Sequence, residues 1–293
     1  MSLRLEMLQV ARLAPTLLNE ASDNVIEFFK ENFHTDGGVK DRAGESDLYY
    51  TVFGLEGLIA LQSPLPEDNV RAYLQTFGEG EALDFVHGTC LARCWACLEG
   101  QGLKQHTAQG IIDRIEACRS ADGGYAATPE SEYGTLYHSF LALGAYQDLG
   151  LDFPNPEVLC ASIERLRTDD GAYANLAEMP FGTTPTTAAA ITLLRQLGET
   201  PPQEAAEWLL ARAHPSGGFV ATPGLAMPDL LSTATTLHAL SGMKVSFDHY
   251  KESCLDYIDT LWTGKAFCGS WADEEQDCEY TYYALLALGH LSL

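Results

Sequence analysis

The chain has 293 residues, 46% apolar, 10% aromatic and 20% charged, and 17 Lys plus Arg stand against 41 Asp plus Glu, a formal charge of −24. The apolar fraction excludes a disordered chain, and so negative a surface excludes nucleic-acid backbones and anionic membranes as natural partners. No run is long and apolar enough to span a bilayer, and the start of the chain, with Arg4, Glu6 and Arg12, lacks the apolar core of an export signal. A cytoplasmic location is therefore expected, with the eight cysteines as free, buried thiols.

Residues 1–20 read as an extra helix outside the pattern that follows. From there a turn-plus-helix unit recurs six times. Asp36-Gly37-Gly38-Val39 leads to an apolar helical segment from Asp47, and a degraded turn, Gly78-Glu79-Gly80, to one from Asp84. Asp122-Gly123-Gly124-Tyr125 leads to a segment from Glu132, and Asp170-Gly171-Ala172-Tyr173 to one from Pro185. Ser216-Gly217-Gly218-Phe219 and Cys268-Gly269-Ser270-Trp271 precede segments from Asp229 and Asp277. A second helix series lies between these, over 23–33, 67–77, 107–119, 155–167, 201–213 and 248–262, with Thr107 and Asn155-Pro156 as start signals.

The two series differ in chemistry. The second carries one apolar stripe and one charged face. The first is apolar nearly all round, so it must be covered on every side. This predicts an inner ring sheathed by an outer ring. The chain ends on an apolar segment that only the first repeat can cover, so the ring closes: an all-α (α/α)6 toroid, with no strands, as one domain over 1–293. The acid that opens five inner segments (Asp47, Asp84, Glu132, Asp229, Asp277) is expected to cap the helix. Three residues on come Tyr50, His87, Thr135, Thr186, Ser232 and Tyr280, which in equivalent repeats make a polar ring at one mouth. Two readings of that ring stand: it orients a ligand's polar head, or it bonds loop backbone. His87, Cys90, Cys94 and Cys97 share one helix face, but one ion takes only an adjacent pair from a helix, so small packed thiols are expected and no metal. Tyr49, Phe53, Trp95, Tyr137, Phe140, Tyr282 and Tyr283 line a bore or fill it.

The pattern of Gly-Gly-aromatic, a polar loop, then Asp-x-x-x-Thr-x-Tyr/Phe-x-Leu-x-x-Leu resembles the repeat of protein prenyltransferase β subunits and of squalene and other class II terpene cyclases. Residues 44–57 (GESDLYYTVFGLEG) and 269–288 (GSWADEEQDCEYTYYALLAL) carry it most specifically. The resemblance implies a toroid whose apolar funnel holds an isoprenoid chain. It also implies a zinc site, but of the matching positions Asp229, Leu231 and Tyr280 only Asp229 is a ligand type. The positions of the diphosphate-binding Arg and Lys are Pro223 and Ala226. An α-subunit-like protein partner is a further implication for the protein-modifying branch. The cyclase Asp-x-Asp-Asp-Thr aligns with Asp277-Cys278-Glu279-Tyr280-Thr281 and, more weakly, with Asp47-Leu48-Tyr49-Tyr50-Thr51.

The reading is therefore a prenyltransferase- or terpene-cyclase-like toroid that binds an isoprenoid or other long apolar molecule and uses no cofactor. Asp277 and Glu279 are its candidate acids, and Tyr49, Tyr50, His87, Tyr137, Asp229 and Tyr280 its candidate ligand contacts. The alternatives are a non-catalytic scaffold on the same ring, which predicts a plugged bore, and a carbohydrate-active toroid, which needs two facing carboxylates such as Asp277 or Glu279 with Asp47 or Asp84.

Overall fold

The computed structural model describes residues 1–98 and 103–293. Three helices open the chain: α1 (Leu3–Ala11), α2 (Pro15–Leu18) and α3 (Ala21–Glu31). The short strands β1 (Val39–Lys40) and β2 (Ser46–Asp47) follow, then α4 (Leu48–Ala60), α5 (Glu67–Gln75), α6 (Phe85–Cys97), α7 (Gln105–Glu116) and α8 (Leu136–Asp148). The chain continues with α9 (Pro156–Glu164), α10 (Thr184–Gln196), α11 (Gln203–Leu210), α12 (Leu230–Gly242), α13 (Lys251–Thr260) and α14 (Cys278–Leu291). The inner helices α4, α6, α8, α10, α12 and α14 each pack on the next, and α14 packs back on α4. The ring is closed, and the protein is an all-α toroid of six hairpins. The outer series α3, α5, α7, α9, α11 and α13 buries one face only, as with Ile111, Ile112 and Ile115 of α7.

All six inner helices start on a side-chain cap. Asp47, Asp84, Asp229 and Asp277 accept from the backbone N–H three residues on, at 3.1, 2.9, 2.7 and 2.8 Å. Glu132 does not cap its helix; Thr135 does, accepting from His138 N–H, and Thr183 caps α10. The shift has a physical basis, because Thr and Asp both place an oxygen close enough to reach the third N–H. Thr107 likewise lies inside α7, whose N-cap is Lys104, whereas Asn155 does precede α9 with Pro156 at its first turn.

In five of the six turns a hydroxyl of the following inner helix also ties the turn down. Thr51, Ser139, Thr187, Thr233 and Thr281 accept from the N–H of Val39, Tyr125, Tyr173, Phe219 and Phe267. The extended cap residues then pair locally with the turn, which produces β1–β2 and bridges such as Tyr125 with Thr135. These are the strands that an all-helical reading omits; they are ladders of one or two residues, too short for alternation to show in the sequence.

The extra N-terminal helix is not peripheral. α1 packs on α4, α8 and α14, at the end of the ring where the inner helices finish. Leu3 N–H donates to Gln147, Arg4 pairs with Asp148 at 3.1 Å, and Glu6 accepts from Arg195 and Gln196 at 2.9 and 2.7 Å. A Cβ on Gly289 would lie 2.1 Å from the Val10 carbonyl oxygen, so a side chain there would push α1 out. α1 therefore floors the bore, and the capped ends of the inner helices form the open mouth.

Gly217 has φ +90°, and a Cβ there would sit 1.9 Å from the Ser253 carbonyl oxygen. Gly217→Ala combines a left-handed penalty of roughly 1–2 kcal/mol with that clash. Urea unfolding should show a loss on the order of 2 kcal/mol or more; an unchanged midpoint would mean that the turn does not set the loop.

Candidate functional site

Because every inner helix begins on the same kind of cap, equivalent positions share one rotation. Two, six and nine residues past the cap fall at about 200°, 240° and 180° around the helix, and three past it at about 300°. The first set faces the bore. Tyr49, Tyr137, Pro185, Leu231 and Glu279 form the tier at the mouth; Phe53, Leu141, Ala189, Thr235 and Tyr283 the middle tier; Arg93, Thr192, His238 and Leu286 the deep tier above Met7 of α1. They enclose a cavity of about 220 Å³ with a mainly apolar wall that includes the rings of Tyr49, Phe53, Tyr137, Phe140 and Tyr283. An annex of about 50 Å³ adjoins it through Tyr49, Phe53, Arg93, Phe140 and Leu141 and is bordered by Arg4, Cys90 and Asp148.

This geometry divides the residues picked from the sequence. Glu279, Tyr49 and Tyr137 line the cavity. Tyr50, His87 and Tyr280, one residue later on their helices, turn sideways. His87 bonds to Asp84 at 2.8 Å and to Asp47 at 3.1 Å, Tyr280 lies against Gly269, and Arg42 stands over the Tyr280 ring at 5.7 Å. Of the expected polar ring, Thr186 reaches the cavity. Thr135 is a cap rather than a ring member, and its place is taken by His138. Asp229 spends its oxygens on Ser232, at 2.7 Å to both N–H and hydroxyl. Asp277, 4% exposed, caps α14 and pairs with Arg42 at 2.7 Å, and it is not among the residues that line the bore.

Among the aromatics, Phe53, Phe140 and Tyr283 line the wall, whereas Trp95 and Tyr282 are core. Arg93 and His238 are cavity residues that the sequence reading passed over; the signal was there, in the two–six–nine register counted from each cap. Cys90, Cys94 and Cys97 are buried thiols, and burial pushes Cys90 up to about 12. Among the described residues, no three His, Cys, Asp or Glu side chains form a metal-binding group. The carbohydrate-active reading loses its second carboxylate, because Asp47 and Asp84 both turn to His87 and Asp277 to Arg42.

Glu279 is the carboxylate of the main cavity. Burial raises its pKa to about 7, and although the Tyr49 hydroxyl donates to its Oε1 at 2.6 Å and opposes the rise, burial wins. Deeper in, Arg93 forks onto Glu56 at 2.6 and 2.8 Å. Burial also lifts Asp148 to about 6 against the pull of Arg93 and Arg4. His238 and His290 bond to each other at 3.0 Å, and burial pushes both imidazoles well below their ordinary range and holds them neutral.

Residues 20–91, 81–183 and 186–292 match the family model described as the prenyltransferase alpha-alpha toroid domain. The chain belongs to this family. No curated protein matches the sequence of this toroid. Among solved structures it resembles a variant of the type II terpene cyclase MstE from Scytonema, bound to its substrate geranylgeranyl dihydroxybenzoate. The TM-score is 0.63 and the identity 14%, over 95% of this chain and 97% of that one. It also resembles protein geranylgeranyltransferase-I from Candida albicans, complexed with GGPP, with TM-score 0.54 and identity 16%, over 96% of this chain and 81% of that one. At these identities the likeness establishes the shared toroid fold.

The raised pKa of Glu279 has a stability consequence with a definite sign. The folded state holds the proton up to about pH 7, the unfolded state only to the ordinary value of 4.5, so folding loses stability as pH rises through that window. The accumulated loss above pH 7 is at most about 3 kcal/mol. Glu279→Gln should therefore match the wild type near pH 5 and exceed it by roughly 2–3 kcal/mol at pH 8 in denaturant titrations. Parallel pH profiles for the two proteins would show that Glu279 ionises freely.

Proposed function

We propose that this toroid, acting as one domain over 1–293, binds an isoprenoid or similarly long apolar molecule in its bore. The observation that carries the reading is the cavity itself: the six inner helices and Met7 of α1 line a space of about 220 Å³ whose wall includes Tyr49, Phe53, Tyr137, Phe140 and Tyr283. Aromatic faces give a flexible hydrocarbon a large contact area and attract positive charge that develops along it. The two similar structures hold a prenyl chain, one attached to a dihydroxybenzoate and one to a diphosphate, which supports the assignment of the bore. Among the described residues no helix is long and apolar enough to cross a membrane, and the free thiols suit a reducing cytoplasm.

Glu279 gives the bore one polar anchor near the mouth, and Tyr49 orients it. An acid with a pKa of about 7 exchanges protons readily with oxygen or nitrogen groups, whereas an unactivated alkene needs a far stronger donor. Asp277 is committed to Arg42, and as a nearby negative charge it raises Glu279 further, which makes Glu279 a weaker proton donor. That observation favours, as a second reading, a binder on the same ring that performs no chemistry.

Farnesol, a prenyl alcohol, serves as the probe. At 100-fold its Kd it should stabilise the protein by about 2.7 kcal/mol and raise the melting temperature accordingly. Ala189→Trp, in the middle tier, should remove the shift while unfolding remains cooperative. No shift with prenyl chains of any length would sink the assignment. Recovery of altered prenyl product after incubation would select the enzyme over the binder.

A further inference from the structure

The bore lies behind a ring of connecting segments, and their charge is net negative. The segments 76–84, 117–135, 165–183, 211–229 and 261–277 hold fourteen Asp and Glu against the five cations Arg119, Arg165, Arg167, Arg212 and Lys265. Acids outnumber cations on four of the five, and 211–229 balances Asp229 against Arg212. All five segments deliver the chain to the capped, mouth end of an inner helix, and three successive pairs are stapled there. Leu136, Thr184 and Leu230 donate their N–H to the carbonyls of Asn175, Ala221 and Gly269 in the next segment round.

The remaining segment, 32–47, holds Lys40 and Arg42. Both are engaged. Lys40 donates to the Glu31 carbonyl at 3.0 Å, and Arg42 is shared among Asp273, Asp277 and Glu275 at 2.8, 2.7 and 3.6 Å.

Six helix N-termini meet at this mouth, which elsewhere would favour an anion. Here each has already been given a side-chain acceptor, and in α4, α6, α12 and α14 that acceptor is an aspartate. Inside, the first tier offers the Glu279 carboxylate and tyrosine rings. The cation that does border the cavity, Arg93, sits in the deep tier with two nitrogens forked onto Glu56. An incoming diphosphate would thus pass net-acidic loops and meet a carboxylate at the first tier, and the one Lys or Arg among the residues lining the bore, Arg93, is already paired.

We propose that the ligand of this bore carries no phosphate: it is a neutral or cationic prenyl-type molecule, such as an alcohol or an amine, and the acidic mouth turns prenyl diphosphates away. The inference rests on the bore being an apolar-ligand site. It narrows that site to ligands whose polar end donates a hydrogen bond to Glu279 or presents positive charge to it and to the faces of Tyr49, Tyr137 and Tyr283.

The test compares farnesol, farnesylamine and farnesyl diphosphate by isothermal titration on the full chain, with Ala189→Trp as the blocked-bore control. At low salt the alcohol and the amine should bind at least tenfold more tightly than the diphosphate, the amine most tightly, and the gap should shrink in 0.5 M NaCl as the field is screened. The double variant Glu178→Lys, Glu274→Lys reverses two exposed rim charges away from caps and cavity; it should raise diphosphate affinity several-fold and leave farnesol unchanged. Equal or tighter binding of the diphosphate, abolished by Ala189→Trp, overturns this inference while the bore remains the ligand site. Failure of all three probes to bind overturns the bore assignment and this inference together.

Discussion

One interaction recurs at the head of every inner helix and the rest of the molecule depends on it: a short side-chain oxygen accepts the backbone N–H three residues ahead. A cap does more than satisfy an orphan donor. It fixes where a helix starts and therefore which direction every later side chain points. Six caps at one end give six inner helices the same axial register and the same rotation. That common rotation turns Tyr49, Tyr137 and Glu279 into one tier and Phe53, Leu141 and Tyr283 into the next. The bore is a consequence of starting points.

The opposite end is decided by charge. α1 lies against the finishing turns of the inner helices through Arg4 with Asp148 and Glu6 with Arg195 and Gln196. Arg93 and Glu56 continue that buried network toward the wall of the bore. Buried ion pairs contribute little net stability, since desolvation offsets their attraction, but leaving one partner unpaired is costly. Their effect here is to admit one placement of α1. With that helix seated and Met7 facing inward, the ring is a cup rather than a tube.

An acid in such a cup is expensive to ionise. Asp277, two residues before Glu279, shows the alternative: it is less exposed, yet the Arg42 guanidinium and its capping bond engage it on the loop side. Glu279 has the Tyr49 hydroxyl as its hydrogen-bond partner and otherwise faces aromatic carbon, so burial dominates. The connecting segments outside the cup carry, on balance, the same sign of charge.

The six turn-plus-helix units, the apolar inner and half-polar outer series and most of the caps are legible along the chain. These are local properties: periodicity, glycine turns and an acid in the right place act over a few residues. The local pattern was misleading where two local solutions are equivalent, as at Glu132, where Thr135 supplies the capping oxygen and moves His138 into the place assigned to Thr135. It placed the polar ring at Tyr50, His87 and Tyr280, one residue beyond the set that faces inward, because a step of about 100° cannot be assigned to a face until the ring axis is known. That α1 floors the bore, and that Asp277 and Glu279, so close in the chain, look in opposite directions, emerges with the packing of the ring. Those outcomes depend on which side chains meet across helices hundreds of residues apart, and no local pattern carries that information.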